Sequence, residues 1–189
     1  MSYAAEYIKI IDSIYGVSFD ATYGFHLQLE EISKQQEEAA AHLVTHQEKA
    51  ALIHSMDSKP LTYAISSYES AVHKTTVRDY KLRNWPNGQN YQWAIKMAIV
   101  TIYEYWEGHF REQIAKSIDL PKKEDLKIDE FGDLCIYRNA ILHNLGKGSK
   151  DFKRLKIFTW FKHGEQINID IIRLDFIVSK LKDALASYV

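Results

Sequence analysis

Cys135-Ile136-Tyr137-Arg138-Asn139-Ala140-Ile141-Leu142-His143-Asn144-Leu145-Gly146-Lys147-Gly148 reads as the end of a helix running into a turn. Gly146 is well placed to cap it. Advancing about 100° per residue from Leu134 puts Phe131, Leu134, Cys135, Ile141 and Leu142 on one apolar arc, with Arg138 near its centre. Asn139 and His143 are four residues apart and share the flank of that arc. A permanent cation, an amide and a titratable imidazole thus stand together at the end of one apolar helix. These groups suffice for metal-free phosphodiester chemistry. Arg138 can neutralise charge building on a phosphorane, His143 can act as general acid or base near neutral pH, and Asn139 can orient the substrate or the histidine. Each residue also has a structural reading. A cation near a helix C-terminus is favoured by the helix dipole, an arginine in an apolar arc can simply pair with a carboxylate, and an amide can be solvated.

The helix expected before this one runs from about Gln89 to Ser117, after the turn signal Trp85-Pro86-Asn87-Gly88. Its arc contains Ile95, Ile99, Ile102, Tyr103, Trp106, Phe110 and Ile114, with Glu107 inside and Glu104 at the edge. An unpaired carboxylate there would cost several kcal/mol or take up a proton, so a buried Glu107 to Arg138 pair is the expected arrangement. Such a pair can be purely architectural. After His143 come Asn144 and the segment Gly146-Lys147-Gly148-Ser149-Lys150, with Lys153 and Arg154 beyond it. Lys147, Lys150, Lys153 and Arg154 are candidate contacts for a phosphate backbone beside His143, or else a solvated connector.

At these residues the chain resembles the HEPN superfamily, whose motif is Arg, a polar residue, three variable residues and His, here RNAILH. The resemblance covers about Gln89 to the C-terminus. It implies an all-α bundle that dimerises by apposing two motif helices, and, in active members, a metal-independent RNA endonuclease. Carried onto this sequence, Arg138 and His143 are the catalytic pair, Asn139 is supporting, and Glu107 matches the acidic residue many members place on the preceding helix. The implied products are a cyclic phosphate and a free 5′-hydroxyl. Family similarity further implies a toxin or antiviral defence component, with a nucleotidyltransferase-type antitoxin as partner. If Glu107 holds Arg138 in the resting chain, activity depends on dimer geometry. Some HEPN-like proteins are non-catalytic binding modules, which is the alternative here.

The remaining sequence fits one all-α domain with an extended N-terminal helical arm. N-terminal helices are expected over 1–60, and a helical domain over 61–189 that contains the motif region 89–187. The first helix is expected from about Tyr3 to Tyr15, and a second from about Ala21 to Met56 with a break near Ser33 or Thr45. Leu61 to Trp85 has weak periodicity and reads as partly irregular. The motif helix is expected to start near Lys123 and end at Gly146. A short strand or extended piece follows at Gln166 to Ile169, then a last helix over about Asp170 to Ser187.

Hydrophobic residues make up 46% and charged residues 26%, which fits a folded chain. The net charge of −1 draws in no polyanion as a whole, so any RNA contact must be local. No secretory signal pattern or bilayer-length apolar run occurs, and the expected location is the cytosol, with no membrane partner. Cys135, the one cysteine, reads as packing rather than redox chemistry. Glu38, His42 and His46 have a one-face metal spacing, but such sets arise readily on polar helices, and neither metal nor cofactor is expected. Phosphate-loop, dinucleotide-fingerprint and nucleophile-elbow motifs are absent, which leaves ATPase, dehydrogenase and α/β-hydrolase readings unsupported.

Overall fold

The computed structural model describes residues 2–65 and 71–189, and for 62–65 and 71–73 the backbone alone. It is an all-α helical bundle with a single small antiparallel sheet among the described residues. The chain divides into two compact units, Met1–Asp20 with Gln92–Val189, and Ala21–Tyr91. The division falls at residues 20/21 and 91/92. The physical reason is that Ala4, Tyr7 and Ile11, near the start of the chain, are fully buried and belong to the first unit.

Helix α1 spans Tyr3–Ala40 without interruption. Gly16 and Gly24 do not break it, and no atom lies within 4 Å of where a Cβ at either would stand. A helical glycine costs only about 1 kcal/mol, which the burial of Tyr7 and Ile11 in the same helix offsets. The break comes at Ala41–Thr45. There Thr45 and Glu48 form a reciprocal capping box that starts α2, His46–Asp57. His42 consequently lies in the turn and His46 at the start of α2, and the two do not share a helix face with Glu38. Strands β1 (Pro60–Ile65) and β2 (Ala71–Thr76) pair antiparallel, with Leu61 opposite Thr75. A pair of antiparallel strands thus stands in the stretch expected to be partly irregular; residues 66–70 of that stretch lie outside the described residues. Thr76 caps α3, Val77–Asn84, by accepting from the Asp79 amide at 3.1 Å.

Within the second unit a polar cluster holds three helices together. Gln36 is 3% exposed and donates to Asp57 Oδ1 at 2.8 Å, while Lys81 Nζ donates to Gln36 Oε1 at 2.9 Å and to Asp57 at 3.2 Å. Burial raises the Asp57 carboxyl, but the Gln36 and Lys81 hydrogen bonds outweigh it and leave the group below its ordinary value.

In the first unit α4 (Gln89–Tyr105) continues through a π-helical turn at Trp106–Phe110 into α5, Arg111–Ser117. A one-turn 3-10 segment at Lys123–Asp125 precedes α6, Asp129–His143. The motif helix therefore begins six residues later than the sequence reading placed it. A second 3-10 segment covers Lys150–Arg154, and α7 spans Ile171–Ala186 with Asp170 as its N-cap. The expected strand at Gln166 to Ile169 is reduced to one bridge between Lys147 and Gln166. The core joins Tyr7 and Ile11 of α1 to Ile95, Ile99, Ile102, Trp106 and Phe110, with Phe131 and Leu134 of α6 and Ile177 and Leu181 of α7. Trp106 stacks on Phe131 at 3.9 Å and Tyr7 on Phe110 at 4.6 Å. The Tyr7 hydroxyl donates to the Ile102 carbonyl at 2.6 Å, so this buried polar group is satisfied.

Candidate functional site

One face of α6 is fixed by the chain that follows it. Asp133 is 2% exposed, and its carboxylate accepts the backbone amides of Lys156 (3.0 Å), Ile157 (2.7 Å) and Phe158 (2.9 Å). One turn on, the Tyr137 hydroxyl donates to the Phe158 carbonyl at 2.6 Å. These bonds clamp residues 156–158 against the helix and set its rotation. Periodicity alone gave no reason to single out Asp133; an acid among Phe131, Leu134 and Tyr137 was the available signal.

That rotation turns Arg138, Asn139 and His143 outward. Arg138 keeps 26% of its side chain exposed and donates from Nε to Glu104 Oε1 at 2.6 Å. Its Nη2 meets the same oxygen at 2.6 Å, while Nη1 donates to Asn139 Oδ1 at 2.9 Å. Nη1 also approaches His143 Nε2 at 3.4 Å, a contact in which the ring nitrogen accepts only when it carries no proton. The structure brings Arg138, Asn139 and His143 into one hydrogen-bonded group at an exposed helix end.

Glu107 is not part of that group, and the expected Glu107 to Arg138 pair does not form. Its carboxylate binds Arg111 Nη1 at 2.9 Å and Lys123 Nζ at 2.8 Å. Burial raises this carboxyl, but the bonds from Lys123 and Arg111 more than offset it, holding the group below the ordinary carboxylate range. Glu104, half exposed, is the partner of Arg138 instead. A wheel drawn at 100° per residue assumes an ideal α-helix, and Glu107 sits in the wider π-helical turn, where that projection misplaces side chains.

Asn144 is the C-cap of α6, and its Nδ2 donates to the Lys147 carbonyl at 2.7 Å, so it shapes the turn. In that turn Leu145 has φ 52° and Gly146 φ 71°. The Gly146 amide donates to the Ala140 carbonyl, and its own carbonyl accepts from Ile167 N at 2.8 Å and Gln166 Nε2 at 3.0 Å. A Cβ at Gly146 would stand 3.0 Å from Gln166 Nε2 and 3.4 Å from Lys96 Nζ. Lys96 is 9% exposed, and its ammonium has no hydrogen-bond or ion-pair partner among the described residues; burial pushes it below its ordinary value.

Lys147, Lys150 and Lys153 are exposed and make no ion pair among the described residues, whereas Arg154 pairs with Asp151 at 3.3 Å.

Beside the motif lies a cavity of about 380 Å³ walled by α6, the π-turn and the 149–154 segment, with Asn139 and Cys135 on one side and Arg111 and Arg154 on the others. Burial, followed by a hydrogen bond with Cys135, raises the Tyr103 hydroxyl at its inner wall well above the ordinary tyrosine value. No group of three or more His, Cys, Asp or Glu able to hold a metal occurs among the described residues, and no helix among them is long and apolar enough to cross a membrane. No protein-family model, curated protein or solved structure matches this chain.

Proposed function

We propose that the chain is a metal-independent endoribonuclease of the kind found in the HEPN superfamily, with Arg138 and His143 as its catalytic pair. The observation that carries this reading is the Arg138 guanidinium bound to Asn139 and reaching His143 at an exposed helix end. In the neutral ring His143 Nε2 takes the proton of an RNA 2′-hydroxyl as its oxygen attacks phosphorus. The bond from O2′ to phosphorus forms and the bond from phosphorus to O5′ breaks. A second proton, from the imidazolium of the other motif copy, goes to O5′, leaving a cyclic phosphate and a 5′-hydroxyl. Arg138 offsets the charge of the pentacoordinate phosphate. Glu104 aims the guanidinium and is a positioning residue.

The second motif copy comes from a homodimer joined through α6. Leu142, 43% exposed, and Leu145, 88% exposed, flank His143 and give that face apolar surface to bury. Lys147, Lys150 and Lys153 supply exposed cations for the RNA backbone. By the same family resemblance the enzyme is a toxin or a defence effector, held in check by a nucleotidyltransferase-type antitoxin.

The double contact of Arg138 with Glu104 also favours a second reading, a non-catalytic helical dimerisation module in which the ion pair is architectural. Incubating purified wild-type and His143→Ala protein with RNA in the presence of a chelator separates the two. The nuclease reading expects cleavage with cyclic-phosphate ends in the wild type and at least a hundredfold less in a variant with an unchanged melting temperature. Equal cleavage by both proteins, or none by either, removes the site.

A further inference from the structure

The cavity beside the motif shares one side chain with the Arg138–His143 group. Asn139 lines it while its Oδ1 accepts from Arg138, and its Nδ2 lies 3.7 Å from Cys135 Sγ on the cavity wall. The lining carries three cations, Arg111, Lys127 and Arg154, against two carboxylates, Asp129 and Asp151, and Arg111 is itself paired with Glu107 outside the lining at 2.9 Å. Both carboxylates are already engaged, Asp129 by Lys156 at 2.7 Å and Asp151 by Arg154 at 3.3 Å. Lys127 is exposed and makes no ion pair among the described residues. With the Ser149 hydroxyl and the Asn139 amide nearby, the walls hold several hydrogen-bond donors, and Tyr103 adds aromatic surface. Such walls suit a ligand rich in acceptors with a flat ring. At about 380 Å³ the space lies at the small end of ligand pockets, the scale of one nucleotide.

We propose that this cavity is a subsite for a single ribonucleotide of the RNA chain next to the scissile phosphate, a reading that rests on the nuclease assignment above. The donors meet the acceptor edge of the base and its phosphate, and Tyr103 lies along the ring. Because the occupant touches the amide that holds Arg138, filling the subsite steadies the guanidinium, which couples sequence preference to rate.

Gly132 offers a clean test. It lines the cavity from within α6, and no atom lies within 4 Å of where its Cβ would stand, so a larger side chain enters the cavity without meeting backbone. The four ribonucleoside 5′-monophosphates and inorganic phosphate are titrated into wild-type, Gly132→Leu, Arg154→Ala and His143→Ala proteins, with binding read by calorimetry and folding by thermal melting. The expectation is that at least one nucleotide binds the wild type and His143→Ala alike and more tightly than phosphate, and that Gly132→Leu weakens it at least tenfold. Arg154→Ala, at a largely exposed side chain, weakens it several-fold and serves if Gly132→Leu does not fold. No nucleotide binding to the wild type, binding no tighter than phosphate, or equal binding to all variants overturns the subsite. RNA cleavage by the wild type that persists while nucleotide binding is absent leaves the nuclease and removes the subsite. Nucleotide binding that follows the expected pattern with no RNA cleavage removes the nuclease and leaves the pocket.

Discussion

Arg138 donates from Nε to one oxygen of Glu104 and brings Nη2 to the same oxygen, each at 2.6 Å, while its third nitrogen points along α6 to Asn139 and His143. The guanidinium is therefore held across two helices, with Nη1 turned toward the imidazole. A lysine has a single nitrogen and cannot divide itself in this way. Arg138→Lys is expected to cut RNA cleavage more than a hundredfold, and Glu104→Gln about tenfold, chiefly in kcat. Glu104 is half exposed, so its loss should cost stability less than about 1 kcal/mol. Steady-state kinetics beside urea denaturation checks both. A Glu104→Gln protein that cleaves as well as the wild type removes the positioning role.

Asp133 is the residue on which the orientation of α6 depends most. Its replacement by Asn keeps the shape but removes the charge that three backbone amides address, and turns an NH₂ group toward at least one of those donors. The expected loss is about 2–4 kcal/mol, read as a drop in the urea midpoint. A change below about 0.5 kcal/mol would show that the 156–158 segment holds without the carboxylate.

Glu107 gives acid sensitivity. Its carboxyl is held below the ordinary range in the folded chain, so the unfolded chain binds more protons as pH falls. The Glu107 contribution is present above the unfolded carboxylate value and is lost as pH falls through the lower folded value. Glu107→Gln should be less stable than the wild type at pH 7, by about 1 kcal/mol for a partly exposed pair, and the gap should narrow as pH falls through the carboxylate range. Melting both proteins from pH 7 to pH 3 tests this. A gap that stays constant across the range contradicts it.

Lys96 works in the opposite sense to a paired lysine. Burial lowers its folded value below the unfolded one, so between those two values the unfolded chain holds the extra proton and stability rises with pH. Below both values the ammonium is charged in both states and the folded chain bears its desolvation. Lys96→Met, of similar length and with no charge to desolvate, is expected to raise the melting temperature by a few degrees at pH 7. Calorimetry at pH 7 and pH 9.5 should find the advantage of Lys96→Met smaller at the higher pH. A lower melting temperature for Lys96→Met would mean that the ammonium is favourably held at the end of α6.

Helix content, the capped turn after His143 and the company of Arg138, Asn139 and His143 follow from the sequence, because they depend on contacts within a few residues of each other. Spacing of three to five residues on a helix fixes which side chains meet, whatever the rest of the fold does. The Thr45–Glu48 capping box was equally local, and the break near Thr45 was among the expected ones. The run of α1 through Gly16 was not, because burial of Tyr7 and Ile11 stabilises that stretch beyond what local propensity measures.

The partner of Arg138 was decided only in three dimensions. Glu104 and Glu107 are three residues apart on one helical stretch, and choosing between them requires the rotation of α4 against α6 and the π-turn at Trp106. The same holds for Asp133, whose backbone partners lie 23 to 25 residues away, and for Lys96, brought beside Gly146 by packing. Local chemistry is written in short spacing. Which charges become buried, paired or left alone depends on contacts between helices far apart in the chain, and no period in the sequence encodes those.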